Sequence, residues 1–449
     1  MTSGSFPGAT LRGAWITALG AVLVGPVLIR LLTASADPLW TQLSTTTGLL
    51  ALSSMVCAAV LPSRVRSLTR AFGIEGILEV HRSLGVLAAA LVLLHLACVV
   101  VADPANVALL DPSRATPASR AATVATLALA LVVVLALTRS RTRPLPYELW
   151  RWGHVGLAAI ALAGSALHVW YLQNLVSDAV MSAVLGILSV LLLAVLTHRW
   201  VLRSMFDPAA EFVVRGVWRE NDTVSTLVLD RRRSRHTAGG DPGWTFAPGQ
   251  FAWLRLQRST SAEEHPFTIA SSADLGDSVE FTIRHHAGGF SAAVAHLEPG
   301  RSVWVDGPHG AFTVDDAHSA TGVVMIAGGV GVTPMMSMLR TAADRGDDRR
   351  FHLVLVVARR DDVLFRDELG LLEQYLDLEV TEVLRGSARR GDPNPLIAAL
   401  TRPNDDAADP AAFDYFVCGS PSLVGTAFHA LDALGVPPDH VRTEQFDLV

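Results

Sequence analysis

The stretch HRSLGVLAAALVLLH, residues 81–95, begins and ends with a histidine. Eleven of the thirteen residues between the histidines are apolar or glycine, and the apolar run continues to residue 102. This composition predicts a helix in the hydrocarbon of a membrane, where an ionisable side chain is costly and usually functional. The stretch therefore predicts a membrane fold, and it raises the question of which partner satisfies two imidazoles in one helix.

Six apolar segments have about the twenty residues that a helix needs to cross the hydrocarbon core. They occupy residues 13–34, 44–62, 79–102, 119–138, 151–172 and 179–200. The first segment also resembles a cleavable signal, because Arg12 precedes it and the small residues 34–36 end it. Its long apolar part and Arg30 favour a retained helix, so the sequence predicts a bundle of six transmembrane helices.

The composition of the whole chain narrows the class of protein. Of 449 residues, 50% are hydrophobic and only 17% are charged. The net charge of −6 gives no reason to expect a nucleic-acid partner. Cys57, Cys98 and Cys418 lie far apart and form no CxxC or CxxCH motif, so neither a disulfide framework, a zinc ribbon nor covalently attached haem is expected.

Arginines are distributed unequally among the loops. They follow the second, fourth and sixth segments, as Arg64, Arg66, Arg70, Arg139, Arg141, Arg143, Arg199 and Arg203. The other loops are nearly free of positive charge. By the positive-inside rule, we expect a multi-pass protein of the cell membrane whose two termini, with everything after residue 205, are cytoplasmic.

The fifth segment repeats the pattern of the third, because His154 and His168 enclose a second apolar stretch. Both spacings are fourteen residues (95 − 81 = 14 and 168 − 154 = 14). Fourteen residues of helix return to within about 40° of the starting direction and rise roughly 21 Å. Since the two segments run parallel, we expect His81 to face His154 near the inner surface and His95 to face His168 near the outer surface.

Two facing imidazoles can supply both axial ligands of an iron porphyrin, so the sequence predicts two b-type haems at two depths. Gly85, Gly156, Ala159 and Gly164 are predicted to let the macrocycle approach the backbone. The alternative is that the histidines are structural and hydrogen-bond across helices. A dinuclear metal site is disfavoured, because two cooperating ions lie about 4 Å apart.

The pattern changes after residue 205. Short alternating strands with Gly and Pro in the turns predict an antiparallel β-barrel at 206–318. Strands that alternate with helices predict a parallel sheet in an α/β nucleotide-binding domain at 319–449. The fold class is therefore a membrane α-helical bundle at 1–205, followed by a cytoplasmic barrel domain and an α/β domain.

AGGVGVTP, residues 327–334, follows a strand and opens a helix, so its backbone could approach a pyrophosphate. A tight turn needs the same glycines, so this signal is weak alone. The ordered set HPFTIASS, GGFS, DGPHGAF, AGGVGVTP, CGSP and EQF resembles the ferredoxin-reductase flavoprotein family. Together with the paired histidines, the chain resembles the NADPH oxidase and ferric reductase superfamily over nearly its whole length.

The resemblance implies sites for FAD and for a nicotinamide dinucleotide. For FAD it implies His265, Pro266, Phe267 and Thr268, with Thr268 beside the isoalloxazine, and Gly289, Phe290 and Ser291 against the pyrophosphate. For the dinucleotide it implies Gly328, Gly329, Gly331, Thr333 and Pro334, with Cys418 and Gly419 at the nicotinamide. Glu444 and Phe446 resemble the carboxy-terminal pair of the family, in which the aromatic ring covers the flavin.

Three features modify what the resemblance implies. His265 stands where the family often has arginine, so contacts to the FAD pyrophosphate must come from elsewhere. Three residues follow Phe446, so the alternative to stacking on the flavin is that its ring packs in the core. For Cys418, the alternative to a place in the nicotinamide pocket is a structural role as a small buried residue at a strand end. Arg359 and Arg360 end a strand where a 2′-phosphate would bind, which favours NADPH over NADH unless both are solvated surface residues.

The predicted function is transmembrane electron transfer. NADPH would reduce FAD on the cytoplasmic side, and electrons would leave singly through the haems to an acceptor beyond the outer leaflet. Oxygen, giving superoxide, is slightly favoured by the short outer loops. The alternatives are ferric-chelate reduction, supply of electrons to a partner protein or quinone, and a flavin reductase that the helices merely anchor.

Overall fold

The structure is a computed structural model of the whole chain. It describes the residues in the ranges 7–33, 37–63, 65–111, 113–139, 147–206, 209–232, 244–259, 263–276, 278–285, 288–317, 321–385, 395–400 and 409–445. The chain divides into two compact units, Met1–Met205 and Phe206–Val449. Each unit is described by itself.

The first unit is a bundle of helices. Its long helices are α1 Pro7–Thr33, α2 Leu39–Val60, α3 Arg66–Ala102, α4 Pro117–Leu137, α5 Tyr147–Leu172 and α6 Ala179–Thr197. A π-helical turn, His198–Leu202, and α7, Arg203–Met205, extend the last of them. In the described part of the chain, six helices are long and apolar enough to cross a membrane, as predicted.

Helix α3 differs from its prediction at its amino-terminal end. It begins at Arg66 rather than near residue 79, so Arg66 and Arg70 lie on helical turns rather than in an irregular loop. Gly73 interrupts the helix with a φ of 68°, a left-handed conformation that glycine adopts without steric cost. A short helical piece therefore precedes the apolar span that carries the histidines.

The bundle is built from two antiparallel helix pairs, α2 with α3 and α4 with α5. Gly164 of α5 lies against α4, because a Cβ at this position would be 3.0 Å from the Cβ of Ala125 and 3.1 Å from the carbonyl of Ala121. The prediction that Gly164 makes room for a macrocycle is therefore wrong. The missing side chain instead lets α4 and α5 pack closely.

The second unit begins with an antiparallel barrel. Its strands are β1 Ala210–Arg219, β2 Val224–Arg231, β3 Phe251–Arg255, β4 His265–Thr268, β5 Ser278–Arg284 and β6 Ser302–His309, in the order β4-β3-β6-β1-β2-β5. An antiparallel bridge between Ile269 and Phe281 joins the two edges. Helix α8, Gly289–Val294, buries Phe290 and Val294 at the barrel core. The predicted barrel is confirmed.

The rest of the second unit is a parallel sheet with crossover helices, as predicted. Its strands are β7 Gly322–Gly328, β8 Arg350–Val357, β9 Leu378–Leu384, β10 Phe413–Gly419 and β11 Val441–Gln445, in the order β11-β10-β7-β8-β9. Its helices are α9 Thr333–Arg345, α10 Arg366–Leu372, α11 Pro395–Leu400 and α12 Pro421–Ala433. Apolar clusters cover both faces of the sheet, which is usual for parallel strands.

Helix α9 fastens the sheet to the barrel. The hydroxyl of Ser337 donates to the carbonyl of Ser271 and accepts from the backbone N–H of Gly249. Arg340 binds the carboxylates of Glu280 at 2.8 Å and Glu368 at 2.6 Å. Burial alone would lower the pKa of Arg340. The hydrogen bonds and negative charges of Glu368 and Glu280 outweigh burial, so the pKa of Arg340 is raised.

We predict that Arg340→Met lowers the free energy of unfolding of this unit by about 2–4 kcal/mol, because two glutamates lose their shared cation. Urea titration of the detergent-solubilised full-length protein, followed by flavin fluorescence, measures the change. The control is Arg219→Met, since the Arg219 side chain is 69% exposed in its pair with Asp222. That variant should change stability by less than about 0.5 kcal/mol. Equal urea midpoints for both variants would contradict the prediction.

Candidate functional site

The structure brings the four intramembrane histidines together as two pairs. The ring centroids of His81 and His154 are 6.0 Å apart, with the ring planes at 55°. The centroids of His95 and His168 are 6.3 Å apart, with the planes at 78°. Each pair joins one histidine of α3 to one of α5, in the combination that the spacing predicts.

Three of the four imidazoles donate Nδ1–H to a backbone carbonyl of the antiparallel neighbour helix. His81 bonds the carbonyl of Ala58 at 2.8 Å, and His95 bonds that of Ser44 at 2.8 Å. His168 bonds the carbonyl of Ala118 at 3.0 Å. A hydrogen bond from one ring N–H to a carbonyl is a usual way in which a protein fixes the tautomer of a metal-ligating histidine. With Nδ1 protonated, Nε2 carries the free electron pair that can bind a metal.

The distances fit one metal between each pair. Two imidazoles that bind the same ion from opposite sides with metal–nitrogen bonds of about 2 Å have ring centroids about 6 Å apart. A Cβ added at Gly85 or Gly156 would meet no atom of the described residues within 4 Å. Among the described residues, no three His, Cys, Asp or Glu side chains form a metal cluster. Two facing imidazoles suit a prosthetic group that brings its own equatorial ligands, as a porphyrin does.

Gly48 of α2 is a site residue that the sequence analysis missed. A Cβ at this position would be 3.0 Å from Nδ1 and 3.2 Å from Cε1 of the His95 ring. The ring therefore occupies the space that a side chain would fill. The small size of the residue was visible in the sequence, but its partner lies 47 positions away on another helix (95 − 48 = 47).

The predicted flavin residues lie at the edge of the barrel. The Nε2 atom of His265 is 2.6 Å from the carboxylate of Glu263, and the His265 ring lies 4.6 Å from that of Phe290. Phe290 also stacks on Phe267 at 5.9 Å. Thr268 is 5% exposed, and its hydroxyl has no hydrogen-bond partner among the described residues. A buried hydroxyl without a partner suits a polar ligand atom, such as a nitrogen of a flavin ring.

The predicted dinucleotide loop packs against the end of β10. A Cβ at Gly331 would lie 2.3 Å from the carbonyl oxygen of Cys418 and 3.1 Å from Cα of Gly419. Only glycine permits this approach, which brings the loop to the residues predicted to line the nicotinamide pocket. Thr333 is buried, and its hydroxyl donates to the carbonyl of Val330 at 2.6 Å. Thr333 and Pro334 open α9, as predicted.

Two arginines that the sequence analysis missed border the same loop. Arg284, the last residue of β5, places a guanidinium nitrogen 2.8 Å from the position of a Cβ at Gly329. Arg385, directly after β9, places one 3.5 Å from the corresponding position at Gly328. Both arginines lie at strand ends, and their cations border the loop that is predicted to bind a pyrophosphate, a group that guanidinium binds well.

Among the remaining predicted residues, the two arginines lie on the surface and Glu444 lies on β11. Arg359 is 79% exposed and pairs with Asp362 at 3.1 Å, which raises the pKa of Arg359 through that hydrogen bond. Arg360 begins the next 3₁₀ turn. Glu444 is buried on β11 and is aligned with Cys418 of β10. Phe446 lies outside the described residues.

Comparison with protein families assigns each part of the chain. Residues 47–165 match the ferric reductase like transmembrane component. Residues 223–313 match an FAD-binding domain, and residues 325–428 match an oxidoreductase NAD-binding domain. The first match contains three of the four histidines and ends before His168. The other two contain the flavin strand and the glycine loop.

Individual proteins are similar to part of the chain. A propane 2-monooxygenase reductase component of Mycolicibacterium goodii is 33% identical over 46% of this chain and 61% of its own length. Ferredoxin–NADP reductase B of Sorangium cellulosum is 31% identical over 45% of this chain and 86% of its own length. A ferredoxin NADP⁺ reductase structure from Neisseria gonorrhoeae has a TM-score of 0.44 and 19% identity, over 53% of this chain and 98% of its own. The chain thus spans less than two thirds of the Mycolicibacterium relative.

The chain therefore joins a ferric reductase like transmembrane component to an FAD-binding and an NAD-binding domain, which is the architecture of the NADPH oxidase and ferric reductase type, and its FAD and NAD(P) module belongs to the ferredoxin-reductase type. Its second unit carries the FAD-binding and NAD-binding domains of NAD(P)H-dependent oxidoreductases. This class agrees with the six helices, the barrel and the parallel sheet described above.

We predict that Arg284→Gln weakens NADP⁺ binding about tenfold to a hundredfold, because a charged hydrogen bond to phosphate contributes about 1.5–3 kcal/mol. Isothermal titration calorimetry on the FAD-loaded full-length protein measures the dissociation constant. Arg215→Gln is the control, since Arg215 lies on the same barrel and pairs with Asp230 at 2.8 Å. An unchanged dissociation constant for Arg284→Gln would contradict the prediction.

Proposed function

We propose that this protein transfers electrons from cytoplasmic NADPH, through FAD and two b-type haems, to an acceptor on the outer face of the membrane. Oxygen is the proposed acceptor and superoxide the product. The observation that carries the proposal is the geometry of the two histidine pairs. Three of these histidines donate Nδ1–H to a carbonyl of a neighbouring helix, which leaves Nε2 able to bind a metal, and each ring faces its partner at the separation that one shared metal requires.

The dehydrogenase residues have distinct tasks in this proposal. Arg284 and the loop of Gly328, Gly329 and Gly331 would bind the dinucleotide phosphates, while the buried hydroxyl of Thr268 would bond the flavin. When bound, FAD supplies the exchange between two-electron hydride chemistry and one-electron transfer. The relative from Sorangium cellulosum is named a ferredoxin–NADP reductase, which supports NADPH over NADH.

The distribution of arginines suggests which side of the membrane is cytoplasmic. Tryptophans at the amino-terminal end of α5 and after the carboxy-terminal end of α6 support this orientation. Arg151 lies over the Trp152 ring at 5.1 Å, and Arg199 over the Trp200 ring at 5.4 Å. The two indoles are 5.5 Å apart. Tryptophan and arginine concentrate at membrane interfaces, and arginine concentrates on the cytoplasmic side. We therefore propose that His81 and His154 form the inner site and that the dehydrogenase is cytoplasmic.

The ligand set bears on how the acceptor would be reduced, and the short outer loops favour oxygen as that acceptor. Two imidazoles would leave no open position on an iron, so the acceptor would receive electrons without binding the metal. Oxygen can do so without a dedicated receptor. A ferric chelate could use the same route, and so could a partner protein of the kind that the name of the Mycolicibacterium relative suggests.

NADPH oxidation by the purified protein in detergent separates these acceptors. We expect consumption of NADPH in air, with reduction of added cytochrome c that superoxide dismutase suppresses. Consumption that requires ferric citrate would identify a ferric-chelate reductase instead. Slow consumption with both acceptors would identify a protein that serves a partner.

We predict that Gly48→Ala reduces the haem content of the outer site, because a methyl group would displace the His95 ring. Overpacking of this kind costs about 1–3 kcal/mol. The haem content per chain, measured as pyridine haemochrome, should fall while the FAD content stays unchanged. Gly186→Ala on α6 is the matched control, because a Cβ there meets no described atom within 4 Å. Equal haem contents in the two variants would contradict the prediction.

A further inference from the structure

One histidine of the four is held differently from the others. Nδ1 of His154 is buried and has no hydrogen-bond partner among the described residues. Its place in the bundle corresponds to that of His168, whose Nδ1 bonds the carbonyl of Ala118 on α4. The same antiparallel register would bring His154 to Val132, fourteen residues along α4 (118 + 14 = 132). No bond joins His154 to that carbonyl, so its ring must be oriented by other contacts.

The indole of Trp150 lies against this ring. The two ring centroids are 5.3 Å apart and the planes are at 27°, which is a stacked arrangement. Trp150 precedes His154 by one helical turn on α5, so the two side chains share a face of the helix. Among the ring contacts that the four histidines make with other described residues, this is the one in which a tryptophan covers a predicted metal ligand.

Trp150 is itself fixed from two sides. Its Nε1–H donates to the carbonyl of Leu135 on α4 at 3.3 Å. The guanidinium of Arg139 lies 5.3 Å from the centroid of the indole, within the range of a cation–π contact. The tryptophan therefore connects α5 to the carboxy-terminal end of α4, as the carbonyl bond of His168 connects the two helices at their other end.

We propose that Trp150 is the positioning residue of the inner site, where stacking of its anchored indole orients the His154 ring in place of the carbonyl bond that orients the other three histidines. This inference rests on the proposed function, because the orientation matters for an axial ligand of a haem. It differs from an ordinary interfacial role, in which the indole would contact lipid headgroups and leave His154 unaffected.

Trp150→Leu in the full-length protein tests the proposal, with the low-spin ferric EPR signals and the redox midpoints of the haems as readouts. We expect the signal of the inner haem, identified by its loss in a variant that lacks His81 and His154, to shift or broaden. The signal of the outer haem should not change. Trp150→Phe, which keeps a ring over His154 but loses the bond to Leu135, should restore most of the inner signal.

Trp152→Leu is the matched control, because Trp152 is 52% exposed and packs on Trp200 rather than on a histidine. If Trp150→Leu does not accumulate, Trp150→Met gives the same comparison with a longer side chain. An inner signal and midpoint identical to those of the wild type, in either variant without a ring, would overturn this inference alone. A wild-type protein without haem would overturn the proposed function and this inference with it.

Discussion

An imidazole within a membrane is costly unless its ring nitrogens have partners, and this constraint bears on all four histidines of the transmembrane unit. A carbonyl on the neighbouring antiparallel helix satisfies Nδ1 of His81, His95 and His168. The carbonyls on α2 that accept these hydrogen bonds belong to Ser44 and Ala58, which are fourteen residues apart (58 − 44 = 14). This is also the spacing of the histidines on α3. One helix register therefore serves both depths. The same bonds join α2 to α3 and α4 to α5.

The second unit meets a different constraint, because FAD and a nicotinamide dinucleotide would have to approach one another between its barrel and its parallel sheet. Helix α9 contributes to both sides of this arrangement. Its amino-terminal end follows the glycine loop, and its middle carries Ser337 and Arg340, which bind the barrel. Arg284 reaches from the barrel to the loop of the sheet. The predicted flavin and dinucleotide residues are thus fixed relative to one another by direct contacts within this unit.

Much of this architecture could be predicted from the sequence, because it depends on local patterns. The apolar runs predict the spans, the fourteen-residue spacings predict which histidines meet, and ordered short motifs predict the barrel and the sheet. The contacts that hold the site were not predictable in this way. His95 bonds a carbonyl 51 residues away, and His168 bonds one 50 residues away. Such partners depend on the register between packed helices, which hydrophobic periodicity does not specify.

The same reason explains the errors and omissions among individual residues. Gly48 and Gly164 look alike in the sequence, yet one accommodates the His95 ring and the other allows close packing of two helices. Gly73 lies between the second and third predicted spans, and only the structure shows that a helix runs through this stretch and is interrupted at Gly73 by a positive φ. Arg284 ends a strand next to two further basic residues, so nothing in its local sequence distinguishes it as the residue that reaches the glycine loop.

The central claim is that each pair of facing histidines holds one haem, and quantification of haem in paired variants tests it most directly. The wild-type protein should contain two haems per FAD, measured as pyridine haemochrome against flavin absorbance. Replacement of His81 and His154 by leucine, or of His95 and His168, should leave one haem per FAD in each case. Haem content that stayed undiminished in either double variant, with FAD retained, would contradict the claim.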